Sequence, residues 1–558
     1  MSDAHVDDAP TTGEQPQDTT VSRRWVLNRF AWLSAAAAGT AVLPAAPAVA
    51  QPRPPRPFRP YPGLPEVDVR PEALADPTEL TIAEALTLLR RGRLRPVDLI
   101  GAYLDRIEAF DGVYQAYAAR PSRAALLAAA AAVPTRGRPT LLQGIGLAPK
   151  DNFYTADLPT EAGSLTYAGF VPPYDATAVR LLREAGGIVL GKAQMGNLAG
   201  GRATVPGTLI PTTRNAWTPD DVRYSPSGSS AGTGTAVAAR LATSGIGTQT
   251  GGSITGPGQA QGLTALKPTL GRASLHGVIP LTFVRDHPGP LARDALDAGI
   301  MLQVLAQPDP DDPRTQGLPA PADYVRAGTA QGGRRPRVRF TTRIGVWPGY
   351  LTPSDPTVAA LRTAAAGELE AVGARVVGEL PLPDDYALLS GVLNGSTGDP
   401  TAPFIDLLRR DVRLFADRLP RFLNGMLQSA DSYLKVQQGR YLLLQRLLEQ
   451  VFDRCDVVLG APSGAFDGTG LPLLTFPIGF VTESTTGAQV PTGALIGGRP
   501  FGEDRLLAVA AAYQAVTDFH LRRPPDPTAP AMGARTARAA AGPVATIQPF
   551  GIDPSEEQ

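Results

Sequence analysis

The chain predicts an α/β fold: one large domain with a central mixed β-sheet covered by helices. Three observations carry this. Short apolar runs such as Ile188-Val189-Leu190 and Val457-Val458-Leu459 have the length and β-branched character of buried strands. Each follows a segment of helical character, Ala178–Ala185 and Tyr441–Phe452 respectively. At 558 residues and 43% apolar composition, the chain is long and apolar enough for a large core and falls outside disordered and fibrous classes. That alternation of helix and strand favours a parallel or mixed sheet with helical layers.

The elements follow in order. Residues 1–20 are polar and acidic. Ser22-Arg23-Arg24-Trp25-Val26-Leu27 then reads as a twin-arginine pattern, followed by a weakly apolar run from Phe30 to Leu43 and the small-x-small site Ala48-Val49-Ala50. The order of charged region, apolar run and cleavage site predicts an export signal over 1–50, cut after Ala50. Pro44, Pro47 and the many alanines make this stretch a poor membrane-spanning helix, so no stable membrane anchor is expected. The expected location is periplasmic or extracellular. Residues 51–77 read as a Pro-rich linker, 78–523 as the folded body and 524–558 as a loose Pro/Ala-rich tail.

Within the body, Thr81 and Glu84 form a capping-box pair ahead of Ile82, Ala85, Leu86 and Leu89 at helical spacing, and Gly92 ends the helix. Pro96 opens a second helix carrying Val97, Ile100, Leu104 and Ile107.

Composition narrows the function. Lys+Arg and Asp+Glu both number 52, which argues against a nucleic-acid coat and against a membrane surface held by basic residues. A single cysteine, Cys455, excludes an internal disulfide framework and a Cys-based zinc cluster. Four histidines leave little for a His-rich metal site, and no cofactor motif is found.

The most unusual stretch is 225–258, SPSGSSAGTGTAVAARLATSGIGTQTGGSITGPG, two Gly/Ser clusters flanking an Ala-rich helical segment. Small residues permit sharp turns whose N–H groups converge on an oxyanion. A serine there acts as a nucleophile only with a base. The chain has four lysines, Lys150, Lys192, Lys267 and Lys435, against 48 arginines. Guanidinium does not deprotonate, whereas a buried lysine can, so each lysine is a candidate for a role that arginine cannot fill. Lys150 ends the apolar run Gly146-Leu147-Ala148-Pro149, which places it at the edge of a sheet.

These motifs, in order and spacing, resemble the amidase signature family of serine hydrolases. The resemblance runs through Pro149-Lys150-Asp151-Asn152, Leu158-Pro159-Thr160, Ala162-Gly163-Ser164, Gly191-Lys192, the Gly/Ser region and Leu266-Lys267-Pro268-Thr269. It resumes at Gly470-Leu471-Pro472, Pro477-Ile478-Gly479-Phe480 and Gly498-Arg499-Pro500-Phe501. Residues 300–455 are much less recognisable. The resemblance implies an amide hydrolase with Lys150 as base, Ser229, preceded by a cis peptide, as relay, and Ser253 as nucleophile. It implies an oxyanion hole of the backbone N–H groups of Thr250, Gly251, Gly252 and Ser253, a small-molecule amide substrate, and no metal or cofactor.

The chain departs from the family pattern in four places. Gln249 and Thr255 stand where the family commonly has Asp and Arg, so both halves of an ion pair are replaced together and a changed local network is expected. Ser227 stands where Gly is usual and Asn197 where Glu is frequent.

Other motifs compete with this reading on weaker grounds. Gly228-Ser229-Ser230-Ala231-Gly232 fits the nucleophile elbow of α/β-hydrolases with Ser230 as nucleophile, but polar Asp221–Pro226 is no buried strand. Gly186 to Lys192 fits a phosphate loop except that Ala193 replaces the required Ser/Thr. Lys267 reads as structural, Lys435 as solvated and Cys455 as buried. Phe415, Leu419, Phe422 and Leu423 line an acyl pocket or form ordinary core; their helical spacing suits core. An esterase using the same trio and a catalytically degenerate exported binding protein are the alternative functions. Export and the motif departures argue against the family's amidotransferase role on charged tRNA.

Overall fold

A computed structural model describes residues 64, 66–134, 140–395 and 398–528. The expected export signal and most of the tail lie outside these residues. The packed body reaches beyond 78 and 523 at both ends. A helix forms at Pro71–Ala75, Leu64, Val67 and Val69 pack against the core, and Asp526 pairs with Arg106 at 2.7 Å.

The strands are β1 (Tyr117–Ala119), β2 (Gly146–Pro149), β3 (Ile188–Val189), β4 (Lys192–Ala193), β5 (Ser244–Gln249) and β6 (Thr264–Lys267). They continue with β7 (His287–Ala292), β8 (Arg343–Val346), β9 (Arg375–Glu379), β10 (Val457–Leu459), β11 (Leu473–Thr482) and β12 (Gln489–Gly498). Ten of them form one sheet in the order β3-β2-β5-β7-β6-β11-β12-β10-β8-β9. The sheet is mixed. Both ends are parallel, β3-β2-β5 and β10-β8-β9, and the middle is antiparallel.

Both faces are covered, and β10 shows why its sequence is apolar throughout. Val457 and Leu459 point into a core shared with helices Ala295–Leu305 and Glu503–Gln514. Val458 points the other way, into a core with Leu443, Leu447 and Phe466. Successive strand residues face opposite sides, so a strand between two helical layers needs an apolar residue at every position.

The expected local signals are present. Thr81 and Glu84 make the reciprocal capping box of helix Ile82–Arg90, and Gly92 follows at φ +65°. The second helix runs Pro96–Tyr114. The Ala-rich segment between the Gly/Ser clusters is the buried helix Ala231–Ala238. Gly232 belongs there because a Cβ would collide with the Ala116 carbonyl and the Gln194 backbone nitrogen. The phosphate-loop reading falls, since Ile188–Val189 is a strand beside β2. Phe404, Phe415 and Phe422 are fully buried against one another, with ring centroids 5.1–6.3 Å apart. Phe415 and Phe422 are therefore core, while Leu423 is exposed.

Candidate active site

The site forms where two parallel strands and two Gly/Ser turns meet. β2 delivers Lys150 one residue past its end. The Lys150 N–H still donates to the Ile246 carbonyl of β5 at 2.9 Å, which fixes the lysine backbone to the sheet. β5 ends at Gln249 and passes straight into the turn Thr250–Ser253. The other turn carries the non-proline cis peptide Gly228–Ser229 and leads into helix Ala231–Ala238. The two turns touch directly, through a Ser230 N–H donating to the Ser253 carbonyl at 3.3 Å.

Lys150 and Ser229 are completely buried. The Lys150 Nζ lies 2.7 Å from Ser229 Oγ, 2.8 Å from Thr248 Oγ1 and 3.2 Å from the Thr248 carbonyl. Asn152 Nδ2 donates to the same Thr248 hydroxyl at 3.0 Å and to the Ile279 carbonyl at 3.2 Å. Burial drives the lysine down to about 7, against the weaker opposing field of the Asp286 carboxylate. Lys150 thus has an oxygen partner to exchange a proton with and can be neutral near neutral pH. Ser253 is 8% exposed, Gly251 is open to solvent and Gly252 is half-buried, so this turn is the face that meets solvent.

The turn is braced on two sides. Asp286, on the loop before β7, accepts from the Thr250 hydroxyl at 2.5 Å and from the Leu281 and Thr282 N–H groups at 2.7 and 3.1 Å. On the other side Asp467 accepts from the Gly252 N–H at 2.9 Å, from Ser463 Oγ at 2.8 Å and from Gln249 Nε2 at 2.7 Å. The Gly252 N–H, expected among the oxyanion donors, is therefore directed at Asp467, whose carboxylate lies on that side of the turn.

A family model described as Amidase matches residues 98–467. The chain belongs to the amidase family. It is 34% identical over 500 residues to a glutamyl-tRNA(Gln) amidotransferase subunit of Moorella thermoacetica, an alignment covering 80% of this chain and 98% of that protein. It superposes on the peptide amidase of Stenotrophomonas maltophilia with a TM-score of 0.68 and 30% identity, covering 80% of this chain and 98% of that one. This member of the family is an amide hydrolase, and a hydrogen-bonded arrangement of Gln249 and Asp467 lies behind its Thr250–Ser253 turn.

That arrangement replaces the expected ion pair. Gln249 Oε1 accepts from the Ile254 and Thr255 N–H groups at 2.8 and 2.9 Å and from Thr255 Oγ1 at 3.2 Å. The carboxylate nearest the turn on this side is Asp467, 3.6 Å from the buried Lys267 Nζ, which also donates to the Leu471 carbonyl. Lys267 is thus structural, as expected.

Lys192 is buried beside Asp151 at 3.3 Å and donates to Thr160 Oγ1 at 2.7 Å. Asn197 donates to Asp417 at 3.1 Å. Ser230 is turned away from solvent, its hydroxyl 3.4 Å from the Thr248 carbonyl, and residues 221–226 form no strand, so the nucleophile elbow has no structural basis. Lys435 is exposed and pairs with Asp431, and Cys455 is buried, its thiol pushed up to about 11 by that burial.

Sequence reasoning did not single out Thr248, Asp286 or Asp467. Thr248 lies inside a strand, and Asp286 and Asp467 carry no local motif; only the fold brings them to the turn.

Proposed function

We propose that the protein hydrolyses a carboxylic amide to acid and ammonia or amine through an acyl-enzyme on Ser253. The observation that carries this reading is the buried Lys150 Nζ, 2.7 Å from Ser229 Oγ and held near the neutral form. Ser253 Oγ attacks the amide carbonyl as its proton passes to Ser229, whose own proton passes to Lys150. The carbonyl oxygen becomes an oxyanion held by the Thr250, Gly251 and Ser253 N–H groups. A single such donor is worth about 3–4 kcal/mol. The C–N bond then breaks, the proton returns from Lys150 through Ser229 to the leaving nitrogen, and the acyl group stays on Ser253. Water repeats the sequence, giving the acid and restoring the serine.

We further propose that this chemistry takes place after export, on the strength of Arg23-Arg24 and the Ala48-Val49-Ala50 site in the sequence. The similarity to amidotransferase subunits supports a second reading, release of ammonia from glutamine within a larger assembly.

One experiment addresses these readings. The chain from Gln51 is assayed on peptide amides, small aliphatic and aromatic amides, glutamine and matched esters, beside Ser253→Ala. Amide turnover that disappears in a folded Ser253→Ala variant is expected. Undiminished turnover in that variant refutes the mechanism. Turnover of esters alone favours the esterase, and of glutamine alone the amidotransferase reading. N-terminal sequencing of protein from the culture medium or periplasm tests export, with Gln51 the expected first residue.

A further inference from the structure

Three groups donate to one buried carboxylate behind the proposed nucleophile, and their order along the chain gives that carboxylate a function. Gln249 closes β5, one residue before the turn. Its side-chain carbonyl is held by two backbone N–H groups, those of Ile254 and Thr255, and by the Thr255 hydroxyl. The amide is therefore directional: with its oxygen committed to donors, its Nε2 must meet an acceptor. Asp467 is that acceptor at 2.7 Å, and it accepts in addition from the Gly252 N–H at 2.9 Å. The segment 250–253 is thus gripped before its first residue, at its third residue and just after its last. Gly252 sits at φ +77°, a backbone region that glycine adopts without strain, and its N–H is the turn's one bond to the carboxylate. Ser463 Oγ, at 2.8 Å, anchors the carboxylate from its own helix, Ser463–Thr469, and Lys267 Nζ stands 3.6 Å away to balance its charge.

We propose that Asp467, acting with Gln249, is a positioning residue that holds the Thr250–Ser253 turn in its reactive geometry. Its carboxylate takes the place of the ion pair that Gln249 and Thr255 cannot form. This rests on the reading of Ser253 as the nucleophile. Asparagine at 467 cannot replace the carboxylate. If its oxygen stays on Gly252 and Ser463, its NH2 meets the Gln249 NH2 and the Lys267 ammonium. If the amide turns over, its NH2 meets the Gly252 N–H. Either way donors face donors in a buried site, and the turn shifts. A misplacement of about 1 Å at a reacting group costs about a hundredfold in rate.

The test uses the full protein and needs no knowledge of the natural substrate. A fluorophosphonate is attacked by Ser253 Oγ with loss of fluoride, and its P=O oxygen occupies the oxyanion hole. The rate of labelling per folded molecule, confirmed at Ser253 by mass spectrometry, is compared for wild type, Asp467→Asn and Ser463→Ala. Inhibition by phenylboronic acid, tetrahedral once bound to the serine, is measured in parallel. We expect labelling of Asp467→Asn to slow by about ten- to a hundredfold and that of Ser463→Ala by about three- to fivefold. Boronate affinity should fall by the same factors. A residue that merely stabilised the fold would change the melting temperature and leave both readouts per folded molecule untouched. Wild-type labelling and boronate affinity in folded Asp467→Asn overturn the proposal. If that variant does not fold, a wild-type rate in Ser463→Ala overturns it. A wild type that does not label at Ser253 refutes the hydrolase reading and this proposal with it, whereas a labelled wild type leaves the variants to decide.

Discussion

Replacing Lys150 by methionine should abolish turnover and at the same time stabilise the protein. An unfolded lysine keeps its proton up to about pH 10.5, and burial lowers the folded value to about 7. Between these values the unfolded chain holds one more proton than the folded one, so this residue makes stability rise with pH from about 7 to 10.5. Below pH 7 the penalty is full and constant. Moving the proton affinity from 10.5 to about 7 corresponds to about 5 kcal/mol. The methionine loses three hydrogen bonds in return. Thr248 Oγ1 keeps Asn152 and the Thr248 carbonyl keeps Ser230 Oγ, so of the three partners Ser229 Oγ alone is left with no other hydrogen bond among the described residues. An orphaned buried hydroxyl costs about 1–3 kcal/mol. The net expectation is a gain of about 2–4 kcal/mol at pH 6 that vanishes and reverses sign by about pH 10. The assay is urea unfolding of both proteins from pH 6 to 10 with equal m-values. For the active wild type, the same proton sets kcat/KM, which falls about tenfold per pH unit on the acid side of 7. A Lys150→Met protein less stable than wild type at pH 6, or a stability difference flat from pH 7 to 10, refutes the argument that this lysine is held neutral by burial.

Two further outcomes test the surrounding fold. Gly232→Ala should lower stability by about 3 kcal/mol or more, read as a shift in the urea midpoint, because its methyl meets the Ala116 and Gln194 backbone instead of a side chain that can move. Phe415→Ala should cost about 3–5 kcal/mol of stability yet leave the rate of Ser253 labelling per folded molecule unchanged, since its ring packs against Phe404 and Phe422 in the core. A selective loss of activity on particular amides would instead make this cluster an acyl pocket.

Features with local causes are legible in the chain of residues. The capping pair Thr81 and Glu84, the proline at 96 and the apolar runs at 188 and 457 specify helices and strands through contacts a few residues apart. The pairing of Lys150 with Ser229 was also legible, because a lysine-poor chain with two Gly/Ser turns narrows the chemistry to few residues, and the family resemblance named them. Where the folded body starts was less legible: residues 66–77 look like linker by composition, but Val67 and Val69 find a core made by distant helices.

The surroundings of the trio come from long-range folding. Thr248, itself held by Asn152, holds the lysine, Asp286 holds Thr250, and Asp467 takes the Gly252 N–H that the family resemblance assigned to the oxyanion. The separations are large, with Asp467 lying 215 residues beyond Gly252. A carboxylate has no periodicity or spacing that marks it as a partner across such a distance. Its role arises from burial, where a charge must find donors: Gln249 and Gly252 of the turn and Ser463 of its own helix donate to it, and the pairing of β6 with β11 brings Lys267 beside that helix.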